Sequence, residues 1–222
     1  MKWYLEVLEK DAYLKKAPTF IKDYFEEVFK NNERVLTLVR ELLSVSRIDQ
    51  GRVKNAPKSM DLIGAISDVV KELQPIAQKK DEKLSLEIKE NRLPHMFIDP
   101  LQFHEIVENL IANAIEYTPA RGEVDVTVDM RGNNVLLAIK DTGIGISSED
   151  QKKVFTKFFR SQKAVAQNPE GSGLGLYIVK NIIARHGGKI WIESILNRGT
   201  TVYLTLPIDP SLIPSREVIS SE

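Results

Sequence analysis

The chain has 222 residues, 42% of them hydrophobic and 28% charged, which suits one domain of ordinary size beside a smaller unit and argues against wholesale disorder. Lys+Arg and Asp+Glu balance at 31 each, so no net field favours nucleic acid or an anionic membrane surface. Cysteine is absent, which excludes a disulfide framework, a zinc-thiolate site and a cysteine nucleophile and fits a reducing, cytoplasmic setting.

No apolar run approaches the length of a membrane span, and the N-terminus has no signal-peptide pattern, so no membrane contact is expected of these residues. Lys2-Trp3-Tyr4-Leu5-Glu6-Val7-Leu8 is helix-like from its start and has no N-cap, which reads as the end of a helix that began earlier. Residues 11–18 read as a loop, with Thr19 as the N-cap of the next helix. Over about 20–49, Ile21, Phe25, Val28, Val35, Leu38, Val39, Leu42, Val45 and Ile48 recur mostly every three or four residues, an amphipathic stripe. Asp49-Gln50-Gly51 supplies a C-terminal glycine. Residues 1–51 therefore predict a helical hairpin too thin to bury its own stripe, and pairing with a second copy as a four-helix bundle is the expected outcome.

Residues 52–60 are polar and proline-marked and read as a linker. A helix is expected over 61–80, with Leu62, Ile66, Val69, Val70 and Leu73 on one face and a kink or break at Pro75. Alternating segments at 84–88, 124–128, 135–139, 189–192 and 201–206 predict strands. Further helices are expected at 99–117, 148–157 and 174–186. Hairpin-like strand pairs mixed with helices make 61–208 an α+β, two-layer α/β sandwich. The Pro/Ser-rich tail 209–222 is expected to carry no fold.

Three runs within this region carry chemistry. Asp99, Pro100 and Gln102 form a capping box opening the helix on which Glu105, Asn109, Asn113 and Glu116 make one polar stripe. A bland solvated stripe would be Lys/Glu-rich, and amides one turn apart are poor helix formers. Carboxamide oxygens are neutral hard ligands that suit Mg²⁺ bound to phosphate oxygens. Asp141-Thr142-Gly143-Ile144-Gly145 follows the 135–139 strand; alone it is compatible with a tight turn, and an aspartic-protease reading fails for want of a second copy. Gly171-Ser172-Gly173-Leu174-Gly175-Leu176 feeds the apolar-periodic helix at 174–186, and unpaired N–H groups at such a helix start bind phosphate. Neither run fits a P-loop or a Rossmann fingerprint.

In this order the three runs resemble the N, G1 and G2 boxes of the histidine-kinase branch of ATPases with the gyrase-type ATP-binding fold. The resemblance covers about residues 1–207. It implies that Asn113 is the principal Mg²⁺ ligand, with Asn109 its partner one turn earlier. Asp141 would read the adenine amine, since an ionised carboxylate only accepts. Gly143 and Gly145 would let the turn pass close to the base. Val154-Phe155-Thr156-Lys157-Phe158-Phe159-Arg160 resembles the F box, although aromatics at this spacing also suit plain core. Residues 161–170, polar and apolar-poor, would be the ATP lid, and Arg160 would reach the terminal phosphate. The resemblance also assigns nucleotide contacts to Tyr117, Ile146, Phe158, Gly171, Ser172, Gly173, Leu174, Gly175 and Leu176. Where this chain has Asn109, the water-activating branches and the anti-sigma serine kinases carry a glutamate, a competent base where an amide is not. The family usually has Lys or Arg where Glu116 stands. A carboxylate there repels triphosphate unless it turns away or meets Mg²⁺ or Lys, so no phosphate role is expected of it and ATP affinity should be ordinary or weakened.

The three histidines, His95, His104 and His186, have local explanations and no metal-ligand spacing. None lies in residues 1–90, where the resemblance implies the dimerisation hairpin and its phosphoacceptor. The expected function is the ATP- and Mg²⁺-binding catalytic portion of a sensor histidine kinase. Its expected partners are a second copy and a response regulator receiver domain. This chain is not expected to label itself, because its acceptor histidine is missing. Its full-length parent is compatible with a membrane anchor. An anti-sigma-type serine kinase and a non-catalytic ATP-binding dimeric scaffold are the alternatives.

Overall fold

The computed structural model describes residues 17–52, 56–90 and 93–209. The expected first helix at 1–10, the loop up to residue 16 and the tail from 210 lie outside them. Tertiary contacts divide the chain after Asp49.

In the first part, helix α1 spans Thr19–Asp49. It starts one residue earlier than its periodicity implies: the Pro18 carbonyl accepts from the N–H groups of Ile21 and Lys22, so Thr19 is already helical and is not the cap. Gly51 adopts a φ of 63° just past its end, as expected of a terminating glycine. Val45 alone is buried among the described residues of α1, while Phe20, Tyr24, Val28, Val35, Val39 and Leu42 lie about half exposed or more. Phe25, Leu38 and Ile48 are half-buried, so the stripe exists and is only partly covered within the described residues.

The second part comprises β1 (Lys58–Met60), α2 (Leu62–Lys79), β2 (Lys83–Ile88), β3 (Met96–Ile98), α3 (Pro100–Tyr117), β4 (Glu123–Arg131) and β5 (Asn134–Asp141). After these come α4 (Ser148–Gln151), α5 (Gln162–Gln167), α6 (Gly175–Arg185), β6 (Lys189–Ile195) and β7 (Gly199–Pro207). Five strands form one sheet in the order β2-β4-β5-β7-β6, parallel only between β2 and β4. Helices α2, α3 and α6 supply the buried side chains that oppose it: Leu62, Ile66 and Val69; Ile106, Leu110 and Ile111; Ile178, Val179 and Ile183. The strands answer with Val124, Val126 and Val128 and with Val135, Leu137 and Ile139. The opposite face is polar and aromatic, with Trp191 and Tyr203 stacked at 5.2 Å across β6 and β7.

Three expectations change. Part of the expected linker is strand: β1 pairs antiparallel with β3, Ser59 opposite Phe97. Three residues are too few to show alternation, and the partner lies far along the chain. Pro75 neither breaks nor ends α2, which runs unbroken through it. The carbonyl it leaves without a helical donor belongs to Lys71, an exposed residue. The helix expected over 148–157 shortens to α4, capped by the Ser147 hydroxyl accepting from the Asp150 N–H at 3.2 Å, and is followed by turns.

Candidate functional site

Alternation along β5 places the first site residue. Val135, Leu137 and Ile139 point toward the helices, so Asp141 does too, and it is buried at the end of the strand. Its Oδ1 accepts N–H bonds from Gly143 at 2.8 Å and Thr200 at 3.1 Å. No donor among the described residues takes Oδ2. Burial pushes the carboxyl up from its ordinary value, and the two backbone donors offset part of that shift. The result is a fixed acceptor with one open oxygen, suited to an amine of a planar ligand.

The glycines beside it are required by neighbouring backbone. A Cβ on Gly143 would stand 2.3 Å from the Tyr117 carbonyl. Gly145 has a φ of 62°, and a Cβ there would stand 2.1 Å from the Ile195 carbonyl. Gly145→Ala is therefore expected to lower stability by about 2–4 kcal/mol, from left-handed backbone strain and a backbone clash together. A urea midpoint equal to that of the parent would contradict this packing. Ile146, half-buried, donates its N–H to the Ser194 hydroxyl at 2.8 Å.

Helix α3 brings the amides to the same region. The Asp99 carboxylate caps it, accepting from Leu101 at 3.0 Å and Gln102 at 3.4 Å, and its other oxygen accepts the Ala56 N–H. Asn109 donates its Nδ2 to the Glu105 carbonyl at 3.0 Å. Its Oδ1 lies against α6, since a Cβ on Gly175 would stand 2.6 Å from it. The Asn helix and the second glycine run thus meet. Asn113, one turn on and half-buried, makes no hydrogen bond among the described residues. The start of α6 has no side-chain cap: Leu174 is buried, the Ser172 hydroxyl accepts from the Leu174 N–H, and the N–H groups of Gly175 and half-buried Leu176 open the helix. An uncapped start of an eleven-residue helix favours anionic oxygens. Two amide oxygens, an uncapped helix start and a carboxylate with one open oxygen together fit Mg²⁺, phosphate and adenine.

The loop between α4 and α6 carries a short helix. Ser161 caps the short helix α5 within the expected lid. The Arg160 guanidinium donates to the carbonyls of Gly171 and Ala164, each at 3.0 Å, and to that of Asn168. Phe158 is 62% exposed with a φ of 62°, and its N–H bonds the Gly173 carbonyl at 3.0 Å. Half-buried Tyr117 ends α3; burial and the Glu116 charge push its hydroxyl up, while Arg160 pulls it back. Among the described residues the Glu116 carboxylate meets no lysine; it accepts a bond from the Asn168 amide.

Over residues 98–210 the chain matches the family described as histidine kinase-, DNA gyrase B-, and HSP90-like ATPase. The chain belongs to this family. The sensor histidine kinase WalK of Bacillus subtilis is 33% identical over 215 residues, covering 93% of this chain and 34% of its own length. The catalytic domain of the histidine kinase ThkA in a nucleotide-free form superposes with a TM-score of 0.61 at 26% identity, covering 71% of this chain and 99% of that one. ThkA in complex with the response regulator protein TrrA superposes at 0.69 and 24% identity, a likeness of fold, over 88% of this chain and 53% of that one. The chain spans about a third of the length of the curated relatives it matches. The relatives it matches are sensor histidine kinases, and the serine-kinase and scaffold alternatives are not favoured. No described helix is long and apolar enough to cross a membrane.

Two supports of this candidate site escape sequence reading. Thr200 fixes Asp141 through its backbone N–H, and its hydroxyl meets that of Ser194 at 2.8 Å. Lys80 donates to the carbonyls of Ile115, Glu116 and Thr118, closing the end of α3, and pairs with buried Glu82 at 2.7 Å. Both act across long sequence separations, and a Gly-Thr-Thr strand start or a lysine after a helix gives no local signal.

Proposed function

We propose that this chain binds Mg·ATP between α3 and α6 and delivers the γ-phosphoryl group to a histidine imidazole on a dimerisation hairpin, for relay to a response regulator receiver domain. In that transfer a nitrogen–phosphorus bond forms as the bridging phosphorus–oxygen bond breaks, and ADP leaves with the electron pair. Asn109 carries the reading. It fronts α6 at the position where an ATPase that uses water needs a carboxylate, and an amide accepts no proton.

The other residues take roles of binding and orientation. Asp141 accepts from the adenine amine, with Gly143, Gly145, Ile146, Tyr117 and Phe158 around the base. Gly171 to Leu176 offer backbone N–H groups to phosphate. Asn113 and Asn109 present carboxamide oxygens to Mg²⁺, which when bound supplies charge neutralisation. Arg160, once free of the lid carbonyls, adds a cation at the terminal phosphate.

The half-exposed stripe of α1 supports a homodimer formed through the hairpin of residues 1–51, with 52–60 as connection and 61–208 as the catalytic domain. ATP as substrate argues for a cytoplasmic reaction. Residues 1–90 contain no histidine, so the acceptor of this transfer is not among them. Incubating this chain with γ-labelled ATP should give no acid-labile label on it. Adding a histidine-bearing hairpin of the same kinase type in trans should give label on the hairpin. Stoichiometric acid-labile label on this chain alone would refute the assignment of the acceptor.

A further inference from the structure

Helix α5 buries no residue, so polar contacts at its ends set its position over the site. At one end the Gln167 amide donates to the Glu116 carbonyl at 2.7 Å, and the Asn168 Nδ2 donates to the Glu116 carboxylate. At the other, the Lys163 ammonium meets the Asn197 side-chain oxygen at 2.6 Å, on the turn between β6 and β7. Asn168 is the pivot. Its Oδ1 accepts the Glu170 N–H at 2.8 Å, which turns Nδ2 toward Glu116, and its carbonyl accepts from Arg160. The residue that holds the lid to α3 therefore also holds the guanidinium inside the lid.

We propose that Glu116 and Asn168 form a latch that keeps the lid docked on the end of α3, and Arg160 turned into the lid, until nucleotide enters. The inference rests on the nucleotide-site reading above. Triphosphate oxygens entering beside Asn113 repel the Glu116 carboxylate and attract Arg160. Both bonds meet on Asn168, so undocking the lid from Glu116 loosens one of the three carbonyls that hold Arg160, and the phosphate draws the guanidinium from the other two. The docked lid is the form that binds poorly, and apparent affinity falls by the fraction of chains left undocked. Glu116 thus gates entry where a cation would hold phosphate.

The test is a double-mutant cycle on this chain, with Mg·ATP binding read by calorimetry. Asn168→Ala removes the donor and leaves every charge in place, and it should raise affinity about three- to tenfold, the range expected for the net worth of one ordinary hydrogen bond. In a Glu116→Ala background the same substitution should change nothing. Hydrogen exchange without nucleotide should quicken over 162–168 in Asn168→Ala and equally in Asn168→Asp, which keeps an acceptor for Glu170 but has no donor. Affinity unchanged or weakened in Asn168→Ala, or the same gain in both backgrounds, overturns the latch. A parent chain that binds no ATP defeats the site reading instead, and the exchange rates still decide whether Asn168 holds the lid.

Discussion

Asp141→Asn should weaken ATP binding by about tenfold or more while leaving the fold at least as stable as the parent. The two effects separate because the two oxygens have different duties. Oδ1 serves the protein, accepting from Gly143 and Thr200, and a carboxamide oxygen accepts those bonds equally well. Oδ2 is left for the ligand, and an NH₂ group there sets a donor against the donating amine of adenine. Loss of a hydrogen bond to a charged group is worth roughly 1.5–3 kcal/mol, hence the factor of ten or more. Stability follows from the raised carboxyl. Its folded-state pKa lies above the ordinary 3.8, so the folded chain binds this proton more tightly than the unfolded chain does. Stability contributed by the group is present below that value and is lost as pH rises through the raised pKa. At neutral pH the ionised Asp141 therefore opposes folding, and the neutral amide does not. Calorimetry and thermal melts at pH 7 check both halves. Unchanged affinity removes Asp141 from the site; a melting point several degrees below the parent's removes the argument from burial.

The second large effect is expected at Asn113. Truncation to alanine should abolish the gain in ATP affinity that Mg²⁺ confers. Phosphotransfer to an acceptor hairpin should fall on the order of a hundredfold, the scale of losing a preorganised electrostatic contact. The fold should barely notice, because Asn113 is half-buried and makes no hydrogen bond that the substitution would break, so a change within about 0.5 kcal/mol is expected. Asn109 is a poorer test: its amide bonds the Glu105 carbonyl and its oxygen packs on α6, which mixes structure with function. Titrating ATP into parent and Asn113→Ala with Mg²⁺ and then with EDTA isolates the metal. If the variant keeps the parent's Mg²⁺-dependent increment, Asn113 is not its ligand.

Short-range pattern sets the helices, caps and strands of this protein. The 3.6-residue stripe of α1, the capped start of α3 at Asp99 and the period-2 strands need only neighbours within a few residues, and they stand close to where that pattern puts them. The boxes are legible for the same reason, since their glycines, amides and carboxylate stand at fixed local spacings. Tertiary structure alone decided what depends on distant partners. Strand β1 exists because β3 pairs with it, and α2 runs through Pro75, where the carbonyl deprived of a donor belongs to an exposed residue, Lys71. Thr200 became a support of Asp141, and Lys80 the closure of α3, only when the sheet and the helix ends came together. Glu116 shows the division most plainly. As a residue it marks a departure from the family's cation, and only the fold, by bringing Asn168 to its carboxylate, gives that departure a partner.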